Sequence, residues 1–473
     1  MESGYSERLY NEDLAPAQER NWSTWSLFCT WMADVHSIGG YTFAAGLFFL
    51  GLTGWQVFLA LICGITVVYF LMNLTSVAGQ RYGIPYPVLA RVSFGVFGAN
   101  VPALIRAAVA IAWYGIQTWL ASVAVVILAL KIFPGLEPLA RSSFLGLSYL
   151  GWICFLLLWA AQLFVLGRGM ESVRRLVDWA GPAIYVAMLA LAIWIFIQAG
   201  GSIDFNLGSK SLSFGGATLA FFTAIALVVN YFSTLLLNFT DFSRFAPSER
   251  MVRWGNFWGL PVNFILFSVI VVVVTAGSRE IYGSAITDPV ELVGRIPSFV
   301  ALALGALTFA VATVGINIVA NFVSPCYDLA NAFPKHIDFK RGGIISAVLA
   351  LVVMPWKLYS SPIAINYFLG GLGALLGPIF GIIVADYYLL RRGRLDVEGL
   401  YREGDDSPYW YRGGLNRRAL WAFAIAAFVS LIVALVPALK VAAPFSWFIG
   451  AGIGGASYYA LMRSAPAPLP EAE

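Results

Sequence analysis

Apolar segments long enough to cross a bilayer recur along the whole of this 473-residue chain, and nothing else about it narrows the fold as much. A hydrocarbon core about 30 Å thick is crossed by roughly 20 apolar helical residues. Backbone polar groups in lipid must be paired within their own segment or in a closed barrel, so runs of this length read as helices. The composition agrees: 60% of the residues are hydrophobic and 11% charged, against about 25% charged in ordinary soluble domains. The expected fold class is an all-α polytopic membrane protein.

Counting apolar runs between polar breaks gives about twelve spans, at 25–50, 55–75, 101–132, 144–166, 177–199, 217–239, 258–276, 296–320, 343–356, 363–390, 419–438 and 443–462. They divide the chain into an N-terminal segment (1–24), a ten-span core (25–390), a basic loop (391–418), two further spans (419–462) and a tail (463–473). Loops that stay in the cytosol collect Lys and Arg. Arg168, Arg174, Arg175, Arg244, Arg250, Arg253, Lys335, Lys340, Arg341 and the seven arginines of 391–418 fall on one side, against fewer on the other. Both termini are therefore expected in the cytosol, with the chain in the plasma or inner membrane. The same clustering accounts for the net charge of +4 without nucleic acid as a partner. The first twenty residues are polar and carry acids, unlike a signal or transit peptide.

Cys29, Cys63, Cys154 and Cys326 are scattered through apolar runs with no metal-ligand spacing, and read as small buried hydrophobes. With two histidines, His36 and His336, no metal centre is expected. No HExxH, GxSxG or P-loop pattern points to an enzyme. A channel is disfavoured because the acids and amides stand singly on different spans.

Polar groups inside an apolar span are costly and so informative. The first span carries Asp34, His36, Ser37 and the pair Gly39-Gly40, which weakens the helix and suggests a break lining a cavity. On the third span Trp113 and Gln117 are four residues apart and share a face, an aromatic plate beside an amide that donates and accepts. That pair suits a flat ring with adjacent N–H and C=O groups. The sixth span holds Asn230-Tyr231-Phe232-Ser233-Thr234, and the eighth places Asn317 and Asn321 on one face. Each alone is equally a packing or interfacial feature; four spans each supplying an aromatic or an amide point to a binding site.

Residues Tyr10 to Leu14, Tyr82 to Val88, Trp113 to Gln117, Asn321 to Pro325, Pro355 to Lys357, Asp386 to Arg392, Leu400-Tyr401 and Tyr409 to Tyr411 resemble, in order and spacing, the nucleobase:cation symporter-1 family. Within it the allantoin, uracil and hydantoin permeases are the nearest in pattern. The resemblance implies a five-plus-five inverted repeat with broken first and sixth helices, and a monomer that imports a small planar nitrogen heterocycle without a cofactor. It makes Trp113 and Phe232 stacking plates, Gln117 and Asn321 hydrogen-bonding readers, and Ser37 a further neighbour of the ligand. Sodium-driven members hold their ion with backbone carbonyls, here those of Ala33, His36 and Ala312, and with two hydroxyls at positions that here are Gly315 and Ile316. A hard cation wants about six oxygens, so protons are the expected coupling ion and sodium the alternative. Asp34 is the expected proton carrier and His36 the second candidate. The other reading is an inverted-repeat transporter for an amino acid or amine.

Overall fold

The computed structural model describes residues 4–204, 212–296, 299–360 and 362–464; most of the expected tail, 465–473, lies outside them. The first span is broken, as its polar centre suggests. Helix α1 (Thr24–Val35) ends at His36, and α2 (Ile38–Gly46) starts afresh with Ser37 as its N-cap, its hydroxyl accepting from the Gly40 N–H at 2.9 Å. Such a cap contributes about 1 kcal/mol and satisfies one of the donors that a new helix start exposes. The break therefore sits at His36–Ser37, just ahead of the glycine pair. The glycines make room instead: a Cβ on Gly39 would lie 2.9 Å from the Gln117 side chain, and one on Gly40 would lie 2.5 Å from the Val35 carbonyl.

Beyond the break come α3 (Gly54–Tyr82), α4 (Tyr86–Phe94), α5 (Asn100–Ile132), α6 (Tyr149–Leu166) and α7 (Met170–Gln198). A reciprocal capping box between Thr53 and Gln56 starts α3. Helix α4 is buried throughout and is too short to cross a membrane, so counting apolar runs passes it over. The second half again opens on a broken helix: α8 (Phe214–Tyr231) stops at Phe232, and α9 (Ser233–Asn238) and α10 (Thr240–Ser243) carry the chain on. Then follow α11 (Glu249–Tyr282), α12 (Leu302–Ala332), α13 (Phe339–Val352) and α14 (Pro362–Val384). Two halves of five helices, each headed by a broken one, match the expected architecture. Helices α15 (Arg417–Leu435) and α16 (Ser446–Met462) close the chain.

Nine helices among the described residues are long and apolar enough to cross a membrane. The broken α1–α2, the 14-residue α13 and the 17-residue α16 are shorter. Large apolar side chains such as Phe70, Trp179 and Phe428 cover the outer surface at about two-thirds exposure, which is stable in a lipid solvent and not in water. Cys63 belongs to that surface: Cys29, Cys154 and Cys326 are buried as expected, whereas Cys63 is exposed on α3.

Close helix approaches rest on small residues, since packing and not water exclusion holds helices together in lipid. On α14 and α16, Cβ atoms added at Gly377 and Gly381 would fall 2.3 and 2.0 Å from the carbonyls of Trp447 and Ala451, and one at Gly454 would fall 2.8 Å from that of Pro378. A π turn at Trp258–Val262, formed around Pro261, lets α11 bend. Gly259 there leaves the space that the Trp31 indole fills, with an added Cβ 2.2 Å from its ring.

The N-terminal segment is a strap laid across one end of the bundle. Ser6 N–H donates to the Tyr401 carbonyl at 2.8 Å, the Tyr401 hydroxyl to Leu14 O at 2.7 Å, Ala17 N–H to Gly83 O at 2.9 Å and Trp22 N–H to Phe245 O at 3.0 Å. The Asn11 side chain donates to Pro334 O and Ile337 O, and Asp13 accepts from Phe339 N–H at 2.8 Å. Just after the loop it crosses, Arg418 in the first turn of α15 donates to the Leu461 carbonyl near the end of α16 at 3.0 Å, so residues 5–22 and the end of α16 share one face. Two arginines of the basic-loop count are buried here: Arg244 under the strap, and Arg391 paired with Asp386 at 3.2 Å.

Candidate functional site

Both breaks face one cleft. Asp34 reaches it from the end of α1, Trp113 and Gln117 from α5, Tyr231, Phe232, Thr234 and Leu235 from the junction of α8 and α9, and Ile316, Ala320 and Asn321 from α12. The cleft lies where two helices are interrupted, which is where unpaired backbone is tolerated in a membrane.

Trp113 and Gln117 share a face of α5 by helical spacing. Trp113 is half-buried, and Gln117 is buried with its Oε1 atom lacking a protein partner among the described residues. Phe232 is fully buried at the break, edge-on to Trp31, Tyr231 and Phe264 with ring centroids 6.3, 5.4 and 5.9 Å away. Tyr231, stacked on Phe43 at 4.7 Å, is a lining residue that the sequence reading quoted without assigning; its place beside Phe232 at the break was the available signal.

Asn321 stands on a π turn, Asn317–Phe322, which interrupts α12; single π turns inside α-helices often accompany functional sites. Behind it runs an ordered amide relay. Gln162 donates to Leu158 O and to Thr118 Oγ1 at 3.1 Å, and accepts from Asn317 Nδ2 at 2.8 Å. Asn317 Nδ2 also donates to Tyr114 O at 2.9 Å, and Asn317 Oδ1 accepts from Asn321 Nδ2 at 3.1 Å. Leu158 and Tyr114 offer carbonyls that can only accept, so the donor and acceptor ends of each amide follow in turn. The Asn321 carbonyl oxygen is left outside the relay. Asn317 thus orients Asn321 without lining the cleft.

Of the other expected residues Asp34 lines the cleft, and the rest fall elsewhere. Ser37 is buried as the α2 cap behind the wall. The His36 ring turns away from the cleft, with Nε2 3.3 Å from Asn263 Oδ1 and the ring edge-on to Tyr185 and Phe267. Asp34 is buried at the cleft, and neither of its carboxylate oxygens has a protein partner among the described residues. Ala33 and Ala312 are buried where α1 meets α12, and an added Cβ on Gly315 would lie 3.5 Å from that of Ala33. At that crossing Gly315 and Ile316 bring no side-chain oxygen.

Residues 15–450 match the family described as permease for cytosine/purines, uracil, thiamine, allantoin. The chain is 39% identical to the allantoin permease of Bacillus subtilis, over 98% of this chain and 94% of that protein. It is 36% identical to the purine-uracil permease of Arabidopsis thaliana, over 92% and 72%. Among solved structures it resembles Mhp1, a nucleobase-cation-symport-1 family transporter in a closed conformation with bromovinylhydantoin bound, with a TM-score of 0.79 at 25% identity over 96% and 95% of the two chains.

Proposed function

Because the chain belongs to the family of permeases for cytosine and purines, uracil, thiamine and allantoin, and is a multi-pass membrane transporter and not an enzyme, we propose that it imports a planar cyclic amide or ureide of the allantoin, hydantoin or uracil type by proton symport. The observation that carries the substrate class is the meeting of an indole, Trp113, with two buried amides, Gln117 and Asn321, in one cleft between the breaks. A flat ring stacks on the indole, and its alternating N–H and C=O edge matches amides that both donate and accept. Phe232 closes the far side of the ring. An aliphatic amino acid would leave these amides unpaired, at about 1–3 kcal/mol each.

The proton assignment rests on Gly315 and Ile316, which bring no side-chain oxygen to the crossing of α1 and α12, and on Asp34, an ionisable group at the cleft with no protein partner among the described residues. Asp34 takes the proton with the ligand and gives it up on the cytosolic side. The arginine-rich strap face supports the reading in which that face and both termini are cytosolic; the proposal is completed by a plasma- or inner-membrane location and a monomeric transporter. The test is uptake by proteoliposomes of radiolabelled allantoin, hydantoin, uracil and leucine, with and without sodium and across pH. A heterocycle should be concentrated under an inward proton gradient. Concentration of leucine with none of the heterocycles would sink the substrate class, and a response to sodium alone would sink the coupling.

A further inference from the structure

Phe232 lines the cleft, and a residue outside the cleft lining stands behind it. Trp31 of α1 is fully buried, with its ring edge-on to Phe232 at 6.3 Å and stacked on Phe239 at 4.8 Å, the planes 17° apart. On its other side the indole fills the space left by Gly259 in the π turn of α11, where an added Cβ would fall 2.2 Å from the ring. Trp31 is therefore wedged between α11 and two phenylalanines, one of which is a wall of the cleft.

A run of hydrogen bonds sets how the indole lies in that wedge. Asn73 of α3 donates to Tyr69 O at 2.9 Å, so its oxygen end is turned to Asn256 of α11 and accepts from Nδ2 at 3.0 Å. The Asn256 oxygen is then the end left for Trp31, whose Nε1–H donates to it at 2.9 Å. A main-chain carbonyl can only accept and an indole nitrogen only donate, so the order of the run is fixed from both ends. Trp31 O also accepts from Asn263 Nδ2 at 3.3 Å, just beyond the π turn, so α11 holds this residue by side chain and by backbone. One partner is enough to satisfy a buried N–H; here the partnered ring also bears on a cleft wall, which ties its orientation to the shape of the ligand site.

We propose that Trp31, oriented by Asn256 and Asn73, is a positioning residue that sets the thickness of the slot between Trp113 and Phe232, and so selects flat rings over thicker ones carrying the same N–H and C=O edge. The inference rests on the reading in which a cyclic amide or ureide lies between those two rings, and adds what limits its shape. A ring stacked on Trp113 gains room only where Phe232 yields, and the indole wedged behind Phe232 prevents that, because a close-packed interior transmits strain. Neither Trp31 nor the two asparagines lines the cleft, so loss of the relay should change which rings fit and not which edge is read.

The experiment measures equilibrium binding of radiolabelled rings to the purified full-length protein, in two pairs: hydantoin against 5,5-dimethylhydantoin, and uracil against 5,6-dihydrouracil. Within each pair the amide edge is the same, and the second member is thicker, through methyl groups on both faces or a puckered ring. A parent that binds none of the four overturns the substrate reading itself, and this proposal with it. On whichever pair the parent binds, the flat member should be preferred about tenfold, roughly what a methyl-sized misfit is worth. In Trp31→Phe and in Asn256→Ala that preference should shrink to near equality. Loss of folded protein lowers the number of sites for both members alike and leaves the ratio of dissociation constants unchanged, so the ratio reads position and not stability. Asn73→Ala, at the part-buried end of the run, takes the place of Asn256→Ala if that variant fails to insert. A parent that binds both members of a pair equally, or a ratio left unchanged by either variant, overturns the proposal.

Discussion

Asn321 donates its side-chain N–H to Asn317 Oδ1 at 3.1 Å, and the direction of that bond is set two residues back along the relay, where Gln162 can only donate to the Leu158 carbonyl. The Asn321 side-chain carbonyl is therefore the end left over, which the proposed function assigns to a ligand N–H. Gln162→Leu, which never touches the ligand, leaves Asn317 and Thr118 short of a buried partner at about 1–3 kcal/mol. The half-saturation concentration should rise about tenfold, with little change in insertion. Analogues of the transported heterocycle methylated at the nitrogen facing Asn321 should lose affinity in the parent by a similar factor. Equal affinity for methylated and plain rings at every nitrogen would show that the amide is not read in this direction.

The two aromatic plates should separate function from stability. Trp113 is half-buried, so Trp113→Ala removes a ligand surface at small cost to the fold, and uptake should vanish with thermal stability nearly unchanged. Phe232 is fully buried among three other rings, and its truncation costs about 3–5 kcal/mol. Phe232→Ala should therefore lower the melting temperature more than Trp113→Ala does. Asn321→Ala should behave like Trp113→Ala. The reverse order of melting temperatures contradicts the packing described for the break.

A sodium requirement should be installable. An added Cβ at Gly315 meets only ordinary contact, 3.5 Å from Ala33, so Gly315→Ser fits without strain. Paired with Ile316→Thr it returns two oxygens to the carbonyls of Ala33, His36 and Ala312. Sodium-gradient stimulation of uptake should appear in the double variant and be absent from the parent. Identical sodium responses in the two proteins would place cation coupling elsewhere.

Strap docking should depend on pH. Burial, opposed by the Phe339 N–H, raises the Asp13 carboxyl above its ordinary value of 3.8. A raised acid favours the folded arrangement while protonated. That contribution is complete below pH 3.8 and is lost as pH rises through the raised value. Hydrogen exchange over residues 5–22 should thus show greater protection at acidic than at neutral pH, and Asp13→Asn should flatten the slope. A slope of opposite sign rules out this role for Asp13.

How far the fold can be read from the chain depends on which physical signal marks each part. Apolar length marks the long helices, because hydrocarbon thickness is fixed. It misses α4, a nine-residue helix buried on all sides, which carries no membrane-length signal. The breaks leave a weaker trace. Ser37 as a cap is the signal for the first, but the glycine pair beside it draws attention although it serves close packing against Gln117 and Val35. At the cleft, Trp113, Gln117, Phe232 and Asn321 are visible as polar or aromatic residues in apolar spans, and the structure brings all four to one cavity. Tyr231 and Ala320 line it equally, yet nothing in their residue type sets them apart from core. The His36 ring direction and the relay through Gln162 depend on neighbours more than a hundred residues away, which no local pattern records.

The strap has a consequence for how the molecule is made. Its Ser6 amide is satisfied by Tyr401, almost four hundred residues later, so a segment made well before its partner is among the last to find its place. Contacts of such sequence separation form late, after the intervening helices have limited the search. Until the loop holding Tyr401 emerges, nascent chains lack that lock on the strap. A cell that samples half-finished copies would meet a bundle whose strap end is still unsealed, which makes synthesis of the loop holding Tyr401 the event that shuts the pathway.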